Sequence, residues 1–387
     1  MHRISYIQYT NPAAYPPLEH SSRILADAGW RVLFLGVEME NIGSLQFPRH
    51  SNIAIRQLPL CRPGWRQKLH YTRYVFWAML HSLFWRSSWI YASDKFACPP
   101  GLLLSYMPGI RVIYHEHDSP SPVNGRPDER SCFMRIILWT RRQLARRAAF
   151  CILPNEKRAE RFRQDIGDGA QVKCVWNCPR KTEVQEPHPH YERKDLWIVY
   201  HGSLVPARLP ASVIEALSLA QRVRLRIIGY ETPGHQGYTG RLRKLAEELG
   251  VVNRVEFIGA VPRSNSLDHC HTGDVGLAFM PRHSDDFNEQ SMTGASNKPF
   301  DYLACGLALL VSDLPEWRAL YVDNGYAMAV DPDDAKAIAA ALDWLQKHPS
   351  EMRAMGERGR QRILAEWNYE TQFARILALL GNPQTAN

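Results

Sequence analysis

The residue types best suited to chemistry lie in the stretch MTGASNKPFDYLACGLALLVSDLPEWR, Met292 to Arg318. Asn297-Lys298-Pro299 opens a short helical pattern that stops at Gly306 and feeds directly into the apolar run Leu307–Val311. The first turn of a helix points free backbone N–H groups outward, here around Ser296 and Asn297. Lys298 adds positive charge at that same end, a combination suited to an anion such as phosphate. Pro299 fits a first turn, where its missing N–H costs nothing. Taken alone, a loop ahead of an ordinary core helix would read the same way. A second candidate follows the apolar run Leu196–Tyr200, where HGSLVPAR brings Gly202 and then Arg208 ahead of a helical stretch. Glycine lets a backbone come close to a ligand, and a guanidinium presents a planar fork to phosphate oxygens. Gly229, leading into Tyr230, and Gly259 also follow apolar runs, at Leu225–Ile228 and Val255–Ile258. Glycine placed repeatedly just after strand-like segments is more than turn chemistry requires.

Other reactive side chains read as structural. Ser284-Asp285-Asp286 and Asp331-Pro332-Asp333-Asp334 hold the acids a metal-dependent Asp-x-Asp site would use. They fall in a polar loop and at a helix start, where aspartate serves as a cap. His269-Cys270-His271 offers metal-binding atoms, but neighbours on a helix point in different directions. The expectation is a site without metal. The eight cysteines are scattered singly with no C-x-x-C pair, as expected of free thiols in a reducing compartment.

The elements that must position these residues alternate along the whole chain. Strands are predicted at Arg3–Tyr9, Arg31–Val37, Ile53–Leu58, Trp89–Ser93, Arg111–His115, Phe150–Leu153 and Val172–Trp176, with helices such as Leu18–Ala28 and Met134–Ala148 between them. The polar, Pro-rich Cys178–Asp195 reads as a linker. Strands then resume at Leu196–Tyr200, Leu225–Ile228, Val255–Ile258, Val275–Phe279, Ala308–Val311 and Ala327–Val330, and the chain is helical from Ala335 on. Apolar strands separated by helices predict parallel sheets covered on both faces. The expected fold class is therefore α/β, with two doubly wound domains whose strand ends face a cleft, where open α/β sheets bind ligands.

Composition agrees with a soluble globular protein: 387 residues, 45% hydrophobic and 22% charged. The opening MHRISYIQYT lacks the parts of a signal peptide, and no run approaches the ~20 apolar residues of a membrane span. The net charge of +8 and pI near 9.1 favour an anionic partner without choosing one. Zinc-ligand pairs, aromatic RNA motifs, a P-loop and G-x-G-x-x-G are all missing, so nucleic-acid binding, P-loop kinase and dehydrogenase readings lose their main support.

Taken in order, the segments resemble the family-4-like glycosyltransferases of the two-domain GT-B fold. YHGSLVPARLPASVIEAL resembles the family's phosphate-contacting turn. LRIIGYE and RVEFIGAVPRSNSL resemble the next two strand-loop units, which cradle the nucleotide. DVGLAFMP resembles its Asp-Val-x-x-x-Pro strand, and NKPFDYLACGLALLVSDLPEWR its Asn-Lys signature variant. In the first half RVIYHEHD resembles the strand that ends in a sugar-facing His, and VKCVWNCP resembles the crossover between domains. The resemblance implies an acceptor domain at 1–180, a donor domain at 195–365 and a C-terminal helix, 366–387, that returns to the first domain. It implies that Arg208 and Lys298 stabilise the leaving diphosphate, with His117 at the donor sugar or acceptor hydroxyl. Gly202, Ser203, Gly229, Tyr230, Ile258, Ser296 and Asn297 would line the donor, and Asp301 would accept from ribose hydroxyls. Departures are Ser203 for Arg, Arg208 for Lys, Thr293 and Asp301 for the usual glutamates with seven residues between them, and Ala13-Ala14-Tyr15-Pro16 for a Gly-Gly loop.

The implied reaction moves a sugar from a UDP- or GDP-linked donor to a glycan or lipid-linked acceptor. It would be retaining and metal-free, with no added cofactor, in the cytoplasm or at the inner face of the membrane, in bacterial-type surface polysaccharide or glycoconjugate synthesis. Glu316 is placed either to reach the sugar or to cap the Pro315–Leu320 turn. The rival readings on this architecture are a silent sugar-nucleotide-binding scaffold and a nucleotide-sugar 2-epimerase. Trp65–Trp89 mixes aromatics with Arg66, Lys68, Arg73 and Arg86, which suits contact with an anionic membrane surface. A helix buried between sheet and solvent with snorkelling basic stems is the preferred reading of that stretch.

Overall fold

The computed structural model describes residues 2–38, 49–62, 64–120, 131–167, 169–187 and 193–381. Residues 188–192 of the expected linker and 382–387 of the expected C-terminal segment lie outside them. The chain divides into two units. One holds Met1–Asn177, Asp285–Ala295 and Tyr369–Asn387, the other Cys178–Ser284 and Ser296–Asn368.

In chain order the strands are β1 Arg3–Ile7, β2 Arg31–Val37, β3 Ile53–Leu58, β4 Trp89–Ser93, β5 Arg111–His115, β6 Phe150–Leu153 and β7 Val172–Cys174, then β8 Leu196–Leu204, β9 Val223–Glu231, β10 Val255–Gly259, β11 Val275–Ala278, β12 Ala308–Ser312 and β13 Ala327–Val330. The helices are α1 Pro16–Asp27, α2 Trp65–Phe84, α3 Cys98–Leu104, α4 Cys132–Arg147, α5 Glu156–Ile166, α6 Ser212–Leu219, α7 Tyr238–Glu248, α8 Arg263–His271, α9 Phe287–Gln290, α10 Asn297–Ala304, α11 Pro315–Trp317, α12 Ala335–Lys347, α13 Pro349–Ala365 and α14 Tyr369–Leu380.

Each unit is a Rossmann-like parallel sheet, ordered β3-β2-β1-β4-β5-β6-β7 in the first and β10-β9-β8-β11-β12-β13 in the second. The central strands β4, β11 and β12 are buried along their whole length, as a sheet covered on both faces demands, whereas the edge strands β3 and β10 are half-exposed. In the first unit α2 to α5 cover one face through Tyr74, Leu104, Leu144 and Phe162. The other face carries α1 and α14 through Leu25, Phe373 and Ile376. Segment 285–295 belongs to this unit because Arg158, a fully buried cation, is satisfied there by the carbonyls of Asn288 (2.9 Å) and Ser291 (3.2 Å).

Two sequence expectations are corrected. Gly202, Ser203, Gly229 and Tyr230 lie within paired strands, not in turns after them, because β8 and β9 continue together to Leu204 and Glu231. Gly202 and Gly229 face each other in register with φ of +112° and +156°. A Cβ at Gly229 would stand 1.8 Å from the Gly202 carbonyl oxygen, so glycine is what lets the strands run on. The second correction concerns α2. It buries Tyr71, Tyr74, Val75 and Ala78, but Trp65, Leu69, Phe76, Leu80 and Phe84 are exposed, so its basic stems do not rise from a covered helix.

The helix α10 is seated by another close approach. A Cβ on Gly276 of β11 would meet the Tyr302 ring at 2.2 Å, and the Tyr302 hydroxyl accepts from the His201 backbone N–H at 2.9 Å. Gly276→Val should therefore lower stability by about 3 kcal/mol through overpacking, read as a shift of the urea midpoint. An unchanged midpoint would mean that α10 is not held by this contact.

Candidate functional site

In the second unit the chemistry gathers where α10 begins beside the end of β8. Ser296 occupies the N-cap position but makes no side-chain cap, leaving that helix end uncapped by its own residue. Lys298 follows in the first turn and is 7% exposed. Its ammonium stands 5.5 Å from the centre of the Tyr200 ring, and it lies 3.1 Å from where a Cβ on Gly202 would be. Among the described residues no carboxylate pairs with it. Burial, and then the positive charge of Arg208, push Lys298 down to about 7. Arg208 donates weakly to Ser203 Oγ at 3.4 Å, and its buried Nε has no hydrogen-bond partner among the described residues.

Asp301, on the same helix, is fully buried and so is not a solvated helix acid. Arg263, the first residue of α8, donates to its two oxygens at 3.0 and 2.7 Å and to Glu183 Oε1 at 2.6 Å. His201 approaches Asp301 at 3.4 Å, but burial lowers its pKa to about 4, so at neutral pH this is not an ion pair. What Asp301 accepts in this structure is Arg263. Asn297 is half-buried in the first turn of α10, Tyr230 is partly exposed on β9, and Ile258 stands one strand further out at the end of β10. Glu316 is exposed in the first turn of α11.

The acids read as caps are caps. Asp286 accepts from Asn288 N–H at 2.8 Å, and Asp334 accepts from Lys336 N–H at 2.9 Å and Ala337 N–H at 3.1 Å. Asp331 accepts from Asp333 N–H and from Arg282.

In the first unit His117 lies just past β5. Its Nε2 is 3.0 Å from Ser93 Oγ, and its ring is 3.9 Å from that of His115 and 5.1 Å from that of Tyr15. Burial first, and the nearby Arg158 cation, lower its pKa to about 4 against the opposing charge of Asp118, so the imidazole is neutral at pH 7. Its backbone N–H donates to Asp94 Oδ1 at 3.0 Å. Asp94 follows β4, next to the point where strand order reverses between β1 and β4. With φ +63° and ψ 172° it occupies a region almost reserved for glycine, and such strain collects at functional sites. Burial and then the Asp118 charge push its carboxyl up to about 7, with Glu116 adding and the His117 N–H and Lys95 opposing.

Sequence reasoning missed Arg263, Glu183 and Asp94. Arg263 sits inside the RVEFIGAVPRSNSL stretch, and Glu183 in what read as featureless linker. Asp94 directly follows the fully buried strand Trp89–Ser93, so the strand-end logic that picked out the glycines would also have found it.

Two protein-family models match this chain. "Glycosyl transferases group 1" covers residues 181–362, and "Glycosyl transferase 4-like domain" covers residues 18–178. The chain belongs to the family-4-like glycosyltransferases. A GDP-mannose-dependent alpha-(1-6)-phosphatidylinositol monomannoside mannosyltransferase of Mycolicibacterium smegmatis is 26% identical over 199 residues, 49% of this chain and 48% of that one. The glycosyltransferase chain thus matches about half the length of that curated relative. A sucrose-phosphate synthase from Thermosynechococcus elongatus has a TM-score of 0.71 at 15% identity, covering 100% of both chains. Anabaena HepE in complex with UDP and glucose gives 0.70 at 15% identity, covering 98% of this chain and 99% of that one. These likenesses establish the fold as GT-B. The group 1 model spans Arg208, Arg263 and Lys298, and the 4-like model spans Asp94 and His117.

The raised Asp94 carboxyl makes a stability prediction for this chain. The unfolded chain ionises this group near its ordinary value, whereas the folded chain resists until about 7. Its contribution to stability therefore falls as pH rises through that window. Asp94→Asn should raise stability more at pH 8 than at pH 5, by about 2 kcal/mol in urea titrations. An equal gain at both would show that the carboxyl is not perturbed.

Proposed function

We propose that this chain transfers a sugar from a UDP- or GDP-linked donor to a glycan or lipid-linked acceptor, with retention and without a metal ion. The setting would be bacterial-type surface polysaccharide or glycoconjugate synthesis, in the cytoplasm at the inner face of a membrane. The observation that carries this reading is Lys298, a buried ammonium beside Arg208 with no pairing carboxylate among the described residues. Cations fixed in place before reaction stabilise a leaving diphosphate without reorganisation cost. The first-turn backbone of α10 at Ser296–Asn297 and the Gly202–Gly229 pair would bring main chain close to the same phosphates. The mannosyltransferase relative carries GDP-mannose in its name, and HepE was solved with UDP, which supports a nucleotide diphosphate of either base.

In the transfer, the bond from the anomeric carbon to phosphate breaks and a bond to the acceptor oxygen forms on the same face. The acceptor proton passes to a phosphate oxygen. Neutral His117 would hydrogen-bond the sugar or the acceptor hydroxyl, and the strained Asp94 would hold the acceptor by its second carboxyl oxygen. Ile258 and Tyr230 would flank the nucleotide, and Arg263 would act by occupying Asp301 so that the carboxylate does not pair with Lys298.

Calorimetric titration with UDP and GDP in chelator tests the donor site. Binding should weaken by nearly tenfold per pH unit above about 7 as Lys298 loses its proton. Lys298→Ala should cost roughly 10–100-fold and remove the pH dependence. Arg263→Gln should release Asp301 to pair with Lys298, moving the break to higher pH. No binding of either nucleotide would overturn the reading. Binding without turnover on any lipid-linked or glycan acceptor would leave a sugar-nucleotide-binding protein in its place. The anomeric configuration of the product by NMR decides retention.

A further inference from the structure

The helices α2, α3 and α4 follow one another across a single face of the first sheet and share a core beneath them. Their outer sides are not the polar surface such a layer should present to water. On α2, Trp65, Leu69, Phe76 and Leu80 recur at helical spacing along one stripe, and Phe84 at its end is 82% exposed. Past α3 the stripe is joined by Tyr106, and α4 adds Ile136 and Trp139. Exposed apolar surface gathered in this way marks a contact site.

The charges around it are of one sign. From residue 61 to 115 the only acid is Asp94, which belongs to the end of β4 and not to these helices, and 131–155 contains none. Arg66, Lys68 and Arg73 are exposed along α2, and Arg135 and Arg142 along α4. A partner must therefore be anionic and also accept apolar side chains along all 20 residues of α2, about 30 Å at 1.5 Å per residue. A bilayer with anionic headgroups meets both demands, because aromatic and aliphatic side chains enter the headgroup boundary while arginine and lysine reach phosphate. No described helix is long and apolar enough to cross a membrane, so the contact would be peripheral.

We propose that the outer face of α2, α3 and α4 docks this protein on an anionic lipid surface, with α2 lying in the headgroup layer. The proposed function supplies a purpose, access to a lipid-linked acceptor, but the contact does not depend on it.

The full chain should float with vesicles of phosphatidylcholine containing about a third phosphatidylglycerol, and release as salt is raised. Pure phosphatidylcholine should retain little. Arg66→Glu/Lys68→Glu/Arg73→Glu should weaken partitioning on the order of a hundredfold. Phe76→Ser/Leu80→Ser should weaken it even at low salt. UDP and GDP titrations on the same samples report the donor site separately, so lost flotation with retained nucleotide binding indicts the surface and not the fold. Equal binding to neutral and anionic vesicles, or flotation unchanged by the charge reversal, overturns the proposal. So does a chain that ignores vesicles but forms a dimer abolished by Phe76→Ser/Leu80→Ser, which would make the face a contact between copies.

Discussion

The arrangement at the start of α10 depends on which cation holds Asp301. Lys298 and Asp301 stand three residues apart on α10, a spacing at which opposite charges on a helix readily pair. Left alone they would neutralise each other. Arg263 prevents this by donating to both carboxylate oxygens from the start of α8, with Glu183 sharing its other side. A bidentate guanidinium outcompetes a flexible ammonium for a carboxylate because its fork matches the two oxygens. Lys298 is thereby kept buried beside a second cation, with no carboxylate paired to it among the described residues, a condition that costs stability and that a bound anion would relieve. Carrying such a cost in advance is what electrostatic preorganisation of the proposed donor site would require.

The rest of the second unit keeps these groups in register. Gly276 admits Tyr302 against β11, Tyr302 accepts from the end of β8, and the Gly202–Gly229 pair lets β8 and β9 extend alongside α10. Each contact needs a residue without a side chain at one place, and each fixes a neighbour of Lys298. The first unit is arranged on a different principle. There the polar groups at the strand ends hold one another: Asp94 accepts from His117, Arg158 binds the His117 carbonyl, and Glu116 is locked to Arg141 at 2.7 Å. Asp94 is the member of this set whose own backbone is strained, so it is the one the surroundings over-determine.

The positions of the strands were legible because burial on both faces writes short apolar runs, of which Phe150–Leu153 is the plainest, although several ends were not. The cationic residues Arg208 and Lys298 were legible as candidates because they follow such runs. What the sequence did not disclose was pairing. Nothing near Asp301 in the chain says that a guanidinium 38 positions earlier will occupy it, and Glu183 lay in a stretch with no periodicity at all. The extension of β8 and β9 was missed for a related reason. A glycine in each strand reads as a stop, and only their meeting across the sheet turns two stops into a continuation.

The excess of positive charge was the least informative feature of the sequence, and the structure explains why. Several basic side chains of the second unit are already engaged by carboxylates, Arg226 by Glu256 at 2.6 Å and Arg360 by Glu357 at 2.8 Å, for example. Such pairs add to the cation count and say nothing about partners. Two groups of cations with no carboxylate paired to them among the described residues stand in contrasting settings. At α10 Lys298 is buried, a setting in which short distances and a low dielectric would favour a compact, highly charged anion. Along α2 and α4 they are exposed and interleaved with aromatic side chains, where salt screens them and only an extended anionic surface could engage many at once. One net charge thus covers two recognition problems, and burial, which composition cannot report, is what separates them.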